Sequence, residues 1–108
     1  MIPPDRLNAI LELAKRDEVG FCLRMAADLT VRVRGLYDLG NDEAVGLYRA
    51  FNELLHLIVN QALNAARTRN RYKLEEFFDI LINTADQRGV GRAIHGTLEF
   101  LLTRNTLS

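Results

Sequence analysis

Apolar residues return every three or four positions along most of this chain, and most regularly between residues 41 and 67. Ala44, Tyr48, Phe51, Leu55, Ile58, Ala62 and Ala65 step by four and three, which places all seven on one face of a helix. Leu47, Leu54 and Val59 widen that stripe, and the widened arc predicts burial against two neighbours rather than one. The opposite face carries Arg49, Asn52, Glu53, His56, Asn60, Asn64 and Arg67. Asn41 and Asp42 are suited to start the helix because short polar side chains bond the free N–H groups of a first turn. Glu43 adds negative charge at the positive end of the dipole. At about 1.5 Å per residue the helix is roughly 40 Å long, well beyond the mean globular helix of about 11–12 residues. The taper to Ala62, Ala65 and Ala66 predicts a close approach by a partner helix.

The flanking patterns are shorter. Pro3 and Pro4 precede Asp5, which is read as the cap of a first helix carrying Leu7, Ile10, Leu11 and Ala14. This helix is expected to end near Asp17 or to break at Gly20. Residues 21–39 are ambiguous. Cys22, Ala26, Leu29, Val33 and Leu36 fit a helical stripe, yet residues 29–34 also alternate as a half-buried strand would. Helix is the better reading, because a lone strand has nothing to pair with. Gly40 is a natural stop. After the central helix, Leu74, Phe77, Phe78, Leu81, Ile82 and Ala85 form the next apolar face, ended by Gln87, Arg88 and Gly89. A last helix carries Ile94, Leu98, Leu101 and Leu102, with residues 103–108 expected to fray. The predicted fold is therefore all-α: one domain over residues 1–108, a bundle of four to five mostly antiparallel helices around a central helix of about 42–67. Its neighbours are expected to be the 21–39 helix and the two C-terminal helices.

Composition narrows the function classes. The 108 residues include 48% apolar and 26% charged residues, the balance of an ordinary globular chain. With 14 basic and 14 acidic residues, bulk charge points to neither nucleic acid nor anionic membrane. Only Lys15 and Lys73 are lysines; the arginine bias fits a GC-rich bacterial coding sequence. Cys22 is the single cysteine, so no disulfide forms within the chain and cysteine-rich zinc sites are excluded. The N-terminus lacks the charged and apolar regions of a signal peptide. No stretch reaches eighteen uninterrupted apolar residues. A cytoplasmic protein without a cofactor or metal is the expectation.

Candidate chemistry is sparse. His56 lies one turn from Asn52, Glu53 and Asn60, so a histidine beside a carboxylate is available as a base or ligand. The only other histidine is His95. Residues 67–73 hold Arg67, Arg69, Arg71 and Lys73 with Tyr72, a basic cluster with one aromatic that suits phosphate contact and base stacking. The same cluster also serves as a solvated connection, with Arg67 completing a helix C-terminus. Arg49 and His56 are seven apart, as are Arg88 and His95. This spacing is similar to the arginine–histidine motif of the helical HEPN ribonucleases. The resemblance implies an arginine that holds phosphate and a histidine that assists proton transfer. Ala50 and Gly89 stand where that family has a polar residue after the arginine. Residues 39–51 resemble part of a tetratricopeptide hairpin, but with no second copy and no closing proline.

The reading that follows is a small helical protein–protein interaction or regulatory module without catalysis of its own, expected to form a homodimer. Its binding face is expected to draw on Arg49, Asn52, Glu53, His56, Asn60, Arg67, Arg69 and Arg71. A nucleic-acid binder or HEPN-like ribonuclease is the alternative.

Overall fold

Five helices carry the sequence: α1 (Pro4–Arg16), α2 (Glu18–Arg34), α3 (Asp42–Thr68), α4 (Tyr72–Gln87) and α5 (Gly91–Leu107). The structure, a computed structural model, describes the backbone of residues 2–34, 42–68 and 72–107, without the side chains at 42–44, 68, 72–73 and 105–107. Among the described residues there is no strand, so the alternating stretch at 29–34 is helical, as the end of α2. The expected starters Asn41 and Asp42, and the stop at Gly40, lie outside the described side chains or residues.

Local chemistry sets the boundaries. The cap position of α1 is Pro3 and the helix begins at Pro4, whose missing N–H costs nothing there. Asp5 is thus not the cap; it sits in the first turn, where its charge meets the positive end of the dipole. One residue divides α1 from α2. The backbone N–H of Asp17 donates to the Ala14 carbonyl at 3.3 Å, and Asp17 Oδ1 accepts from the Gly20 N–H at 3.0 Å. Asp17 thereby ends one helix and starts the next, and the break falls before Gly20 rather than at it. After α4 the Val90 N–H donates to the Ala85 carbonyl at 2.9 Å and the Gly89 N–H to the Asp86 carbonyl at 3.2 Å. Gly89 has φ of +76°. This is a Schellman ending, and the buried Val90 tucks under it. The final helix runs to Leu107.

The helices form a ring in which α2 packs on α3, α3 on α4, α4 on α5 and α5 on α2, while α1 lies against α2, α4 and α5. Residues 57–64 of α3 face residues 76–80 of α4, and Glu53 meets Arg88, so this pair runs antiparallel. The expectation that α5 flanks the central helix is corrected: α5 sits diagonally across the ring, and α3 has α2 and α4 as its two neighbours. The reason lies in α5 itself, whose buried Ile94, Leu98, Leu101 and Leu102 are turned toward the other three helices.

The core is continuous. Phe21 of α2 meets Phe78 of α4 edge-on, with ring centroids 6.0 Å apart, and Phe78 meets Phe77 at 5.3 Å. Ile10, Met25, Leu29, Leu54, Ile58, Leu81 and Leu98 complete it, all without solvent exposure. Each such aliphatic side chain contributes about 1.5–3 kcal/mol by leaving water. On α3 the buried arc is rotated from the expected one. Ala50 and Gln61 are inside, Leu47, Tyr48 and Leu55 are half-buried, and Val59, expected to widen the stripe, is 46% exposed.

A polar contact ties α2 to α5. Thr97, fully buried, donates its hydroxyl to Asp28 Oδ2 at 2.5 Å, and Arg32 Nε donates to the same oxygen at 2.7 Å. Gly96 leaves room for the Arg32 guanidinium, which a Cβ would meet at 3.3 Å. Burial pushes the Asp28 carboxyl up, but the bonds from Thr97 and Arg32 outweigh it and hold the group below the usual carboxylate range. At the surface Arg6 pairs with Glu99, and that hydrogen bond holds the Glu99 carboxyl low as well.

Three outcomes are expected. Thr97→Val removes a charge-assisted bond without changing side-chain shape and lowers stability by about 1–2 kcal/mol in urea unfolding. Asp28 and Glu99 bind protons less readily folded than unfolded, so their contribution is present above about pH 4 and is lost as pH falls below it. The Asp28→Asn variant therefore shows a shallower loss of stability between neutral and acidic pH than the parent. Gly89→Ala forces a side chain into the left-handed region and costs about 1–2 kcal/mol, read from the shift in unfolding midpoint.

Candidate functional site

Helix α3 presents the residues singled out from the sequence. Arg49, Asn52, Glu53, His56, Asn60 and Arg67 are all exposed, on the side away from the core. Arg69 and Arg71 lie outside the described residues. The exposed face is not purely polar. Val45 and Leu63 are each about half exposed (53% and 51%), Val59 is close to that, and Ala66 is also exposed. Along the chain Val45, Arg49, Asn52, His56, Val59, Leu63 and Ala66 alternate steps of four and three. They form a second narrow stripe, opposite the buried arc.

The two arginine–histidine pairs are placed differently. Arg49 and His56 share the outer face of α3. Arg88 stands in the turn after α4 while His95 is on α5, so the seven-residue step does not put that pair on one helix. Arg88 Nε instead donates to Glu53 Oε2 at 3.0 Å, tying the end of α4 to the middle of α3. His95 is half-buried, its Nε2 has no hydrogen-bond partner among the described residues, and Asp86 Oδ1 lies 3.8 Å away. Glu53 is thereby the ion-pair partner of Arg88 as well as the carboxylate one turn from His56.

A feature that the periodicity did not point to lies between α3 and α4. A cleft of about 220 Å³ is floored by Leu57 and Phe77 and lined by the amides of Asn60, Gln61 and Asn64. Glu76 and Ile80 form its α4 wall. Asn60 and Asn64 belong to the predicted polar face of α3, and Asn60 alone of the lining residues is among those expected to bind. Two signals in the sequence did mark the place. Gln61 is a polar residue inside an apolar arc, and Ile80 is an apolar residue beside Glu75, Glu76 and Asp79.

Cys22 is 1% exposed in the core, and burial pushes its thiol up to about 12, with the Glu18 charge adding to the shift. Among the described residues no three His, Cys, Asp or Glu side chains are grouped to hold a metal, and no helix is long and apolar enough to cross a membrane. Cys22 is therefore expected to resist thiol reagents in the folded protein and to react at the rate of unfolding. Timed reaction with an aromatic disulfide, with and without urea, checks this.

Models of known families do not match this chain, and neither a curated protein nor a solved structure shows significant similarity to it.

Proposed function

We propose that this chain is a small protein–protein interaction or regulatory module, without catalytic activity of its own, that pairs with a second copy through the outer face of α3. The observation that carries the reading is the second stripe on that helix. Single exposed apolar residues are ordinary. Here Val59, Leu63 and Ala66 follow one another at the three-and-four spacing of a coiled-coil seam, with Val45 two heptads before Val59. Arg49, Asn52 and His56 occupy the intervening seam positions. Polar residues at such positions cost stability and fix register and partner number, as a regulated contact requires. The self-complementary use of one patch by two copies is the commonest form of soluble oligomer.

The size of the patch sets the strength. A helix roughly 40 Å long and about 10 Å wide offers a footprint of about 400 Å², against about 800 Å² per partner in a standard interface. Pairing in the micromolar range is the consequence.

The expected result in sedimentation equilibrium is a mass that rises from 12.3 kDa toward twice that value across micromolar concentrations. Leu63→Glu abolishes the rise while changing stability by no more than about 0.5 kcal/mol, since the position is exposed. A parent protein that stays at the monomer mass throughout contradicts the reading. Absorbance at 260 nm from co-purified nucleic acid would instead favour the basic segment at Arg67.

A further inference from the structure

We infer that the self-pairing surface spans two helices: the α2–α3 side of the bundle is one charge-free face, and a second copy of this chain covers it. This rests on the self-pairing reading and adds α2 to its contact. The place of the face follows from what each helix does on its other flank. On α2, Asp28 bonds Thr97 of α5 and Arg32 lies against Gly96 of α5. On α3, Glu53 reaches Arg88, and Leu57, Asn60 and Asn64 line the cleft with α4. Successive residues step about 100° around a helix. Val19, Leu23, Ala26 and Thr30 therefore occupy the flank of α2 away from α5. Tyr48, Asn52, Leu55, Val59 and Ala66 occupy the flank of α3 away from α4. All are exposed or half-buried. Both flanks border the same side of the bundle, because α2 and α3 pack on each other more extensively than any other two helices.

Charge avoids this face. Charged residues make up 26% of the chain, yet among the described residues none stands on it between Val19 and Thr30 of α2 or between Val45 and Ala66 of α3. Arg24, Asp28 and Arg32 lie on the α5 flank of α2, and Arg49, Glu53 and Arg67 on the α4 flank of α3. A solvated helix face keeps its charges, whereas the centre of an interface is depleted of them. Leu23 is 57% exposed, and no function within the bundle accounts for it. Thr30 donates its hydroxyl to the Ala26 carbonyl at 2.7 Å, so its polar group is bonded within the helix and needs no water. Area selects the occupant. α2 has 17 residues, and its length of roughly 25 Å raises the footprint of α3 alone to about 650 Å², near the 800 Å² or so that each partner gives to a standard interface. A face without charge offers nothing to steer an acidic or basic partner. It suits its own copy, and the Asn52 amide, with both donor and acceptor, can bond its counterpart across a two-fold axis.

Sedimentation equilibrium of the full chain tests this. Leu23→Glu and Thr30→Arg are each expected to raise the dissociation constant of the pair about tenfold, by placing an unpaired charge in the contact. Both positions are exposed, so both variants keep the urea midpoint of the parent. Ile80→Glu, at an exposed apolar position of α4, leaves pairing unchanged. The inference alone is overturned if the parent pairs and Leu63→Glu abolishes pairing while Leu23→Glu and Thr30→Arg pair as the parent does. It is also overturned if Ile80→Glu weakens pairing as much as they do. A parent that stays monomeric at every concentration overturns it together with the self-pairing reading.

Discussion

A helix that is apolar around half of its circumference cannot hide that surface against a single neighbour. α3 meets this constraint by lying between α2 and α4, with Ala50, Leu54, Ile58 and Ala65 turned into the bundle. Ala62 and Ala65 are buried at its C-terminal end. Once α3 has two neighbours, the remaining helices follow. The three residues between α3 and α4 force an antiparallel return, the Schellman ending at Gly89 turns the chain again, and α5 closes the ring against α2. α1 then covers the apolar surface that α2, α4 and α5 leave between them.

What fixes the ring as one arrangement is a small set of specific contacts. The edge-on rings of Phe21 and Phe78 join helices on opposite sides of the ring, and the Asp28–Thr97 bond joins adjacent ones. The latter is exacting, because Asp28 needs its partners. With Thr97 and Arg32 in place the carboxylate is charged and satisfied; without them burial alone would favour its neutral form. Arg88 with Glu53 and Arg6 with Glu99 lie in solvent and act chiefly on orientation.

Much of this was legible in the sequence. An all-α bundle of four to five helices follows from four-and-three spacing over long runs, and the structure has five. The polar face of α3 was legible for the same reason. Two aspects were not. Periodicity assigns residues to a face but not to a neighbour, so α5 was expected beside α3 and lies diagonal to it. It also fixes an arc only to within a residue's angular width: Val59 at the edge was counted inside and is outside, while Gln61 was counted nowhere and is inside. The cleft depends on that rotation together with Ile80 of a different helix, and no single-helix pattern contains it. Arg88 and His95 share a spacing but not a helix, because Gly89 ends α4 between them.

The functional account rests on a division of α3 into two stripes, one used by the fold and one left for a partner. Hydrogen exchange, followed by mass spectrometry at low and high protein concentration, tests that division most directly. The account predicts slower exchange at high concentration in peptides covering residues 56–67, with α5 peptides covering 94–102 unchanged. Exchange independent of concentration throughout, or a change confined to α1 or α5, would contradict it.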